Sequence, residues 1–244
     1  MKSRCVLFTI PRSGSTLISE IISYYLRETY GFNHLPEYFA LNQAGIKMVN
    51  GLITIEYNKW SSAQEFTLPV LAKQTKERVG YLKSSKHRYF FKLFPFQAGL
   101  HRKWILDNSE RIFLYRENLL ENLLSFMISD MTGQYYEAEG IRWKSNSLYA
   151  TNNSFLRFSR IVNEYTKIRN QYSGSRALCF EEALAMDPAT LMRKLGHKKS
   201  VDWSKLSLPE KQNKLLAFSN PDEILDWYRG SELNKIYPLK SSSL

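Results

Sequence analysis

The chain has 244 residues, 43% hydrophobic and 23% charged, with 34 Lys and Arg against 23 Asp and Glu and a formal net charge of +11. These proportions are ordinary for a globular protein and exclude collagen, a coiled coil and wholesale disorder. The basic excess favours a polyanionic partner and leaves nucleic acid, an acidic membrane surface and a phosphate-rich cofactor open.

In chain order, residues 5–10 (CVLFTI) form a short apolar run rich in β-formers and predict a buried strand. The segment PRSGST follows at once. Leu17, Ile18, Ile21, Ile22, Tyr25 and Leu26 then recur at helical spacing, and Gly31 and Pro36 end that helix. Residues 40–60 carry no decisive pattern. A helix is expected over 61–79, capped by Ser61 or Ser62 with Glu65 as capping-box partner. Residues 89–94 (YFFKLF) predict a second strand stopped by Pro95, 99–107 a short helix, and 111–115 (RIFLY) a third strand. An apolar helix is predicted over 118–131, a loop or lid over 133–153, and a helix over 155–172. Residues 176–180 (RALCF) predict a fourth strand, and 188–195 a helix with Pro188 in its first turn.

Strands alternating with helices predict an α/β fold with a central, mainly parallel sheet flanked by helices. One domain over 1–244 is expected, with the terminal SSSL at 241–244 frayed. Cys5 and Cys179 are too few for a disulfide framework and read as small buried hydrophobes. There is no CxxC and no HxxxH pair, so no metal site is expected. The first apolar run ends at Pro11 and Arg12, too early for a secretory signal, and no run approaches the roughly 18 residues of a membrane span. A cytoplasmic protein is the expectation.

A loop of small residues feeding a helix presents backbone N–H groups at the positive end of the helix dipole, which suits a phosphate or sulfate. Ser13, Ser15 and Thr16 add hydroxyls, Gly14 adds conformational freedom and Arg12 adds a charge. This is not a Walker A loop, because no Lys follows Gly14. A strand-to-helix turn with a serine cap is the plain alternative.

PRSGST directly after an N-terminal strand resembles the 5′-phosphosulfate loop of sulfotransferases that use 3′-phosphoadenosine-5′-phosphosulfate (PAPS). That family has a second signature, an Arg ending a later strand and a Ser in the helix that follows. RIFLYRENLLENLLS at 111–125 is similar to it, with Arg116 and Ser125 nine residues apart, in the R-x-N-L-L…S form of the bacterial trehalose-type branch. HLPEYF at 34–39, FKLFPFQ at 91–97, CFEEALAMDP at 179–188 and LPEKQNKLLAFSNPDEI at 208–224 also resemble segments of that branch. The catalytic-His position and the R-K-G cofactor loop of the animal cytosolic enzymes have no counterpart here.

The resemblance implies a single P-loop-like domain that moves a sulfuryl group from PAPS to a hydroxyl, with carbohydrate as the favoured acceptor class. Adenosine 3′,5′-bisphosphate would be the product, and no metal would be needed. Arg12 and the backbone of Ser13, Gly14, Ser15 and Thr16 would hold the 5′-phosphosulfate. Arg116 and Ser125, with Lys211 and Gln212, would hold the 3′-phosphate. Glu37 would be the base, with His34 as its rival, and Arg12 and Lys92 would stabilise the leaving phosphate.

Each residue has an alternative. Arg116 could pair with Glu117 or Glu121 on the surface, and Lys92 could be an edge-strand lysine that blocks aggregation. A small-molecule kinase would need a Walker Lys and an acidic residue ending a strand, where this chain has Tyr115 and Arg116. A basic nucleic-acid-binding protein would have the charge but lacks a recognised motif, so no nucleic acid is expected. A homodimer is open through the apolar segment 119–131.

Overall fold

The computed structural model describes residues 2–36, 38–39, 44–57, 68–132, 148–204, 218–236 and 238. Its centre is a five-stranded sheet built from β1 (Arg4–Thr9), β2 (Phe32–Leu35), β5 (Arg88–Leu93), β6 (Glu110–Tyr115) and β7 (Arg176–Cys179). The spatial order is β2-β5-β1-β6-β7, and every pairing is parallel. The fold is therefore α/β and P-loop-like, as expected: a parallel sheet flanked by helices, with the first strand running through a short loop into α1 (Ser15–Tyr30).

The strands are apolar runs because both of their faces are covered. On one face Cys5 and Leu7 of β1, Phe90 of β5, Ile112 and Leu114 of β6 and Leu178 of β7 pack with Ile18, Ile22 and Leu26 of α1. Leu191 and Met192 of α7 (Pro188–Lys194) close that layer. On the other face Val6, Phe8, Phe91, Leu93 and Phe113 pack under Val79 and Leu82 of α2 (Leu68–Ser84). Ile105 and Leu106 of α3 (Arg102–Asp107), Leu123 and Met127 of α4 (Leu119–Thr132), and Phe158, Val162 and Tyr165 of α5 (Asn152–Gln171) complete this second layer. Among the described residues three further helices follow β7: α6 (Phe180–Leu184) directly, and α8 (Pro221–Arg229) and α9 (Glu232–Ile236) after α7.

The four strands predicted from sequence are the inner strands and one edge of this sheet. The structure adds β2 inside the segment read as a helix break; it exists because Phe32, Asn33, His34 and Leu35 pair with residues 88–91 of β5. It also adds an antiparallel hairpin, β3 (Ala44–Val49) and β4 (Leu52–Tyr57), in the stretch that carried no decisive pattern. Asn50 and Gly51 turn it with φ of 49° and 78°, the left-handed pair that a two-residue hairpin loop requires. Helix α2 runs to Ser84, beyond the predicted end, and the predicted caps Ser61 and Ser62 lie outside the described residues. Of the segment 133–153, expected as a loop, positions 133–147 lie outside the described residues; at its far end Leu148 bridges Phe218 and α5 begins at Asn152. Phe180 starts α6 and does not extend the last strand.

Position 1 and positions 37, 40–43, 58–67, 133–147, 205–217, 237 and 239–244 are outside the described residues, so the expectations for Glu37, Lys211, Gln212 and 241–244 fall there. Among the described residues no helix is long and apolar enough to cross a membrane.

Candidate phosphate-binding site

The chain leaves β1 toward β2 on one side, and later crosses over to β6 on the other. The carboxyl end of β1 is thus a topological switch point, where open α/β sheets bind their ligands. The loop after β1 has left-handed backbone at Arg12 (φ 62°) and Gly14 (φ 78°), on either side of Ser13. Positive φ in a non-glycine residue is strained and persists where the surroundings enforce it. Ser13 is buried and its hydroxyl lies 2.6 Å from that of Thr9, which anchors the loop to the strand end. Gly14 caps α1 without a side-chain cap bond, so the positive end of this 16-residue helix is not covered by its own cap.

The two sequence signatures meet here. The Arg12 Nε donates to Ser125 Oγ at 2.9 Å, joining the first loop to α4 across 113 residues. One turn earlier on α4, the fully buried Asn122 donates from Nδ2 to the Pro11 carbonyl at 2.7 Å. Arg116 follows β6 and is only 6% exposed. Its guanidinium lies over the Phe180 ring at 4.8 Å. Its Nε pairs with Glu181 Oε1 at 3.2 Å, so the surface pairing with Glu117 or Glu121 is not what forms. Phe180 in turn packs against the loop, since a Cβ built on Gly14 would lie 2.0 Å from its ring.

Lys92 is 4% exposed, and its Nζ makes a long contact of 3.4 Å to Thr16 Oγ1. The alternative of an edge-strand lysine fails, because β5 lies between β2 and β1. Lys92 shares a strand face with Phe90 and so emerges under α1, where its charge reaches the loop.

His34 stands one residue before the end of β2, against Phe90, with ring centroids 5.4 Å apart. Its Nε2 is buried and has no hydrogen-bond partner among the described residues. Burial, then the nearby charges of Lys92 and Arg27, push its imidazole down to about 4. At neutral pH it is an uncharged ring with an open acceptor or donor. The two residues after position 37 are held in the core: Tyr38 donates to the Arg78 carbonyl at 2.7 Å, Arg78 Nη1 returns a bond to the Tyr38 carbonyl, and the Tyr38 and Phe39 rings pack on Phe91.

The structure thus brings together Arg12, Ser13, Gly14, Ser15, Thr16, Lys92, Arg116 and Ser125 around one strand end. Sequence reasoning missed Asn122, Phe180 and Glu181. For Asn122 the available signal was its position one helical turn before Ser125. For Phe180 and Glu181 it was the CFEEAL segment, noted as a resemblance without a role. A buried arginine (Arg116), a half-buried one (Arg12) and a buried lysine (Lys92) beside a helix N-terminus can hold an anionic group with several oxygens. Among the described residues no group of three or more His, Cys, Asp or Glu is placed to hold a metal. The chain matches no family profile and no curated protein in sequence.

Proposed function

We propose that the chain is a PAPS-dependent sulfotransferase acting on a hydroxyl acceptor, with carbohydrate as the favoured class. The observation that carries this reading is the Arg12–Ser125 bond. It joins the loop that resembles the 5′-phosphosulfate loop to the helix that resembles the 3′-phosphate helix, and Arg116 reaches the same loop through Phe180.

The residues present fit such a group. The donors are buried arginine, lysine, serine and backbone N–H groups, which match phosphate oxygens. Arg12 and the backbone of residues 13–16 would hold the 5′ end, and Arg116 and Ser125 the 3′-phosphate. When bound, PAPS supplies a sulfuryl group activated as a mixed anhydride with phosphate. Lys92 and Arg12 would stabilise charge at the oxygen that leaves, because both lie at the loop. Glu37 or His34 would take the acceptor proton. His34 is neutral at pH 7 with an Nε2 that has no partner among the described residues, and Glu37 is named on the resemblance of HLPEYF alone.

The test is calorimetric binding of adenosine 3′,5′-bisphosphate, AMP and ATP with Mg²⁺ to wild type and to Arg116→Ala. The bisphosphate is expected to bind tightest, and the variant to lose on the order of 10- to 100-fold in its affinity. A preference for ATP with Mg²⁺, or an unchanged variant, would sink the reading.

A further inference from the structure

We propose that Glu181, backed by Phe180, is a positioning residue that aims Arg116 and so makes the site selective for a nucleotide carrying a second, separate phosphate. This rests on the function proposed above and names what sets its ligand preference.

A guanidinium that is 6% exposed is costly unless its donors are met. Glu181 meets one edge. Its Oε1 takes the Arg116 Nε at 3.2 Å and the Asn118 backbone N–H at 3.3 Å. Its Oε2 takes the Glu117 backbone N–H at 3.0 Å and the Cys179 thiol at 3.2 Å. The carboxylate is therefore locked by two amides at the start of α4 as well as by the arginine. Burial pushes the Glu181 carboxyl up, but the amides, the Cys179 thiol and Arg116 outweigh it, and the group is held below the usual carboxylate range. It is ionised at neutral pH.

Phe180 meets one face of the same guanidinium, at 4.8 Å. With the Nε edge and one face taken, a planar guanidinium has little rotational freedom left. Nη1 and Nη2 donate to no described residue, so the two-pronged edge remains for a ligand. Phe180 also touches Gly14, which makes one side chain the spacer between the loop and Arg116. A ligand with one phosphate can satisfy the loop alone. A ligand with two can satisfy both the loop and Arg116.

The experiment compares adenosine 3′,5′-bisphosphate with AMP, which differ only in the 3′-phosphate, on wild type, Glu181→Ala and Glu181→Gln by calorimetry. Alongside it, the Arg116 Nε–H resonance is followed by NMR, identified by its loss in Arg116→Lys. The preference for the bisphosphate is expected to fall about tenfold in Glu181→Ala and less in Glu181→Gln, whose amide oxygen still accepts, with AMP affinity unchanged. The Nε–H signal is expected to shift in both variants. Equal losses for both ligands mean a merely structural role and overturn the proposal, as does a gain for the bisphosphate, which would place Glu181 in the phosphate's own position. An unmoved Nε–H signal overturns it while leaving the proposed function standing. Wild-type protein without a preference for the bisphosphate overturns the proposed function and this ligand assignment together.

Discussion

Gly14 carries two demands that no other residue type meets. Its φ of 78° is left-handed, and a Cβ there would lie 2.0 Å from the Phe180 ring. Gly14→Ala therefore combines backbone strain with overpacking, each worth roughly 1–3 kcal/mol. The variant is expected to lose about 2–4 kcal/mol in urea denaturation and to lose bisphosphate binding. Stability within 0.5 kcal/mol of wild type, roughly the scatter of neutral surface changes, would contradict this. The position of Gly14 in a phosphate-type loop is legible in PRSGST. Its contact is not, because Phe180 lies 166 positions away in the chain. Arg116 divides the same way: its type and place at a strand end are written locally, while its partner Glu181 arrives on α6, just after the neighbouring strand β7.

Helix α4 holds the loop through one face. Asn122 and Ser125 are three residues apart, hence on the same side of the helix, and they grip Pro11 and Arg12 in turn. Asn122 is fully buried, and its Oδ1 has no partner among the described residues. Burying that oxygen is a cost, which the Nδ2 bond to the Pro11 carbonyl offsets. Asn122→Ala leaves that carbonyl unpaired and is expected to lower stability by about 1–3 kcal/mol. Because Pro11 adjoins Arg12, the variant should also weaken bisphosphate binding; thermal unfolding with and without ligand reads both. A stabilised variant whose ligand-induced shift matches wild type would refute the claim. At this scale the strong elements were legible because apolar periodicity marks them. β2 was not, since FNHL has too few apolar residues to announce a strand, and its pairing with β5 makes it one. The hairpin was signalled by Asn50–Gly51 but lies among residues without a clear alternation.

Across the whole molecule, acid should destabilise the fold through His34. Burial and the charges of Lys92 and Arg27 lower its pKa from 6.5 to about 4. Between those values the unfolded chain holds a proton that the folded chain does not, so stability falls as pH falls through the window. The full shift corresponds to on the order of 3 kcal/mol. His197, lowered by burial and by Arg176, acts in the same direction. Urea midpoints measured from pH 7 to pH 4.5 should fall in wild type and fall less steeply in His34→Gln. Identical slopes would remove His34 as a cause.

By itself the sequence determined the class of fold, four of the five sheet strands, and the residue types lining the end of β1. Strand runs, helical spacing and loop residues are local properties, and local properties are written in consecutive residues. Only the tertiary structure decided that Lys92 lies inside the sheet, that Arg12 meets Ser125, and that Phe180 and Glu181 flank Arg116. These contacts follow from strand order and register. Both are set by how whole faces bury against one another, so a single segment, whatever its pattern, does not contain them.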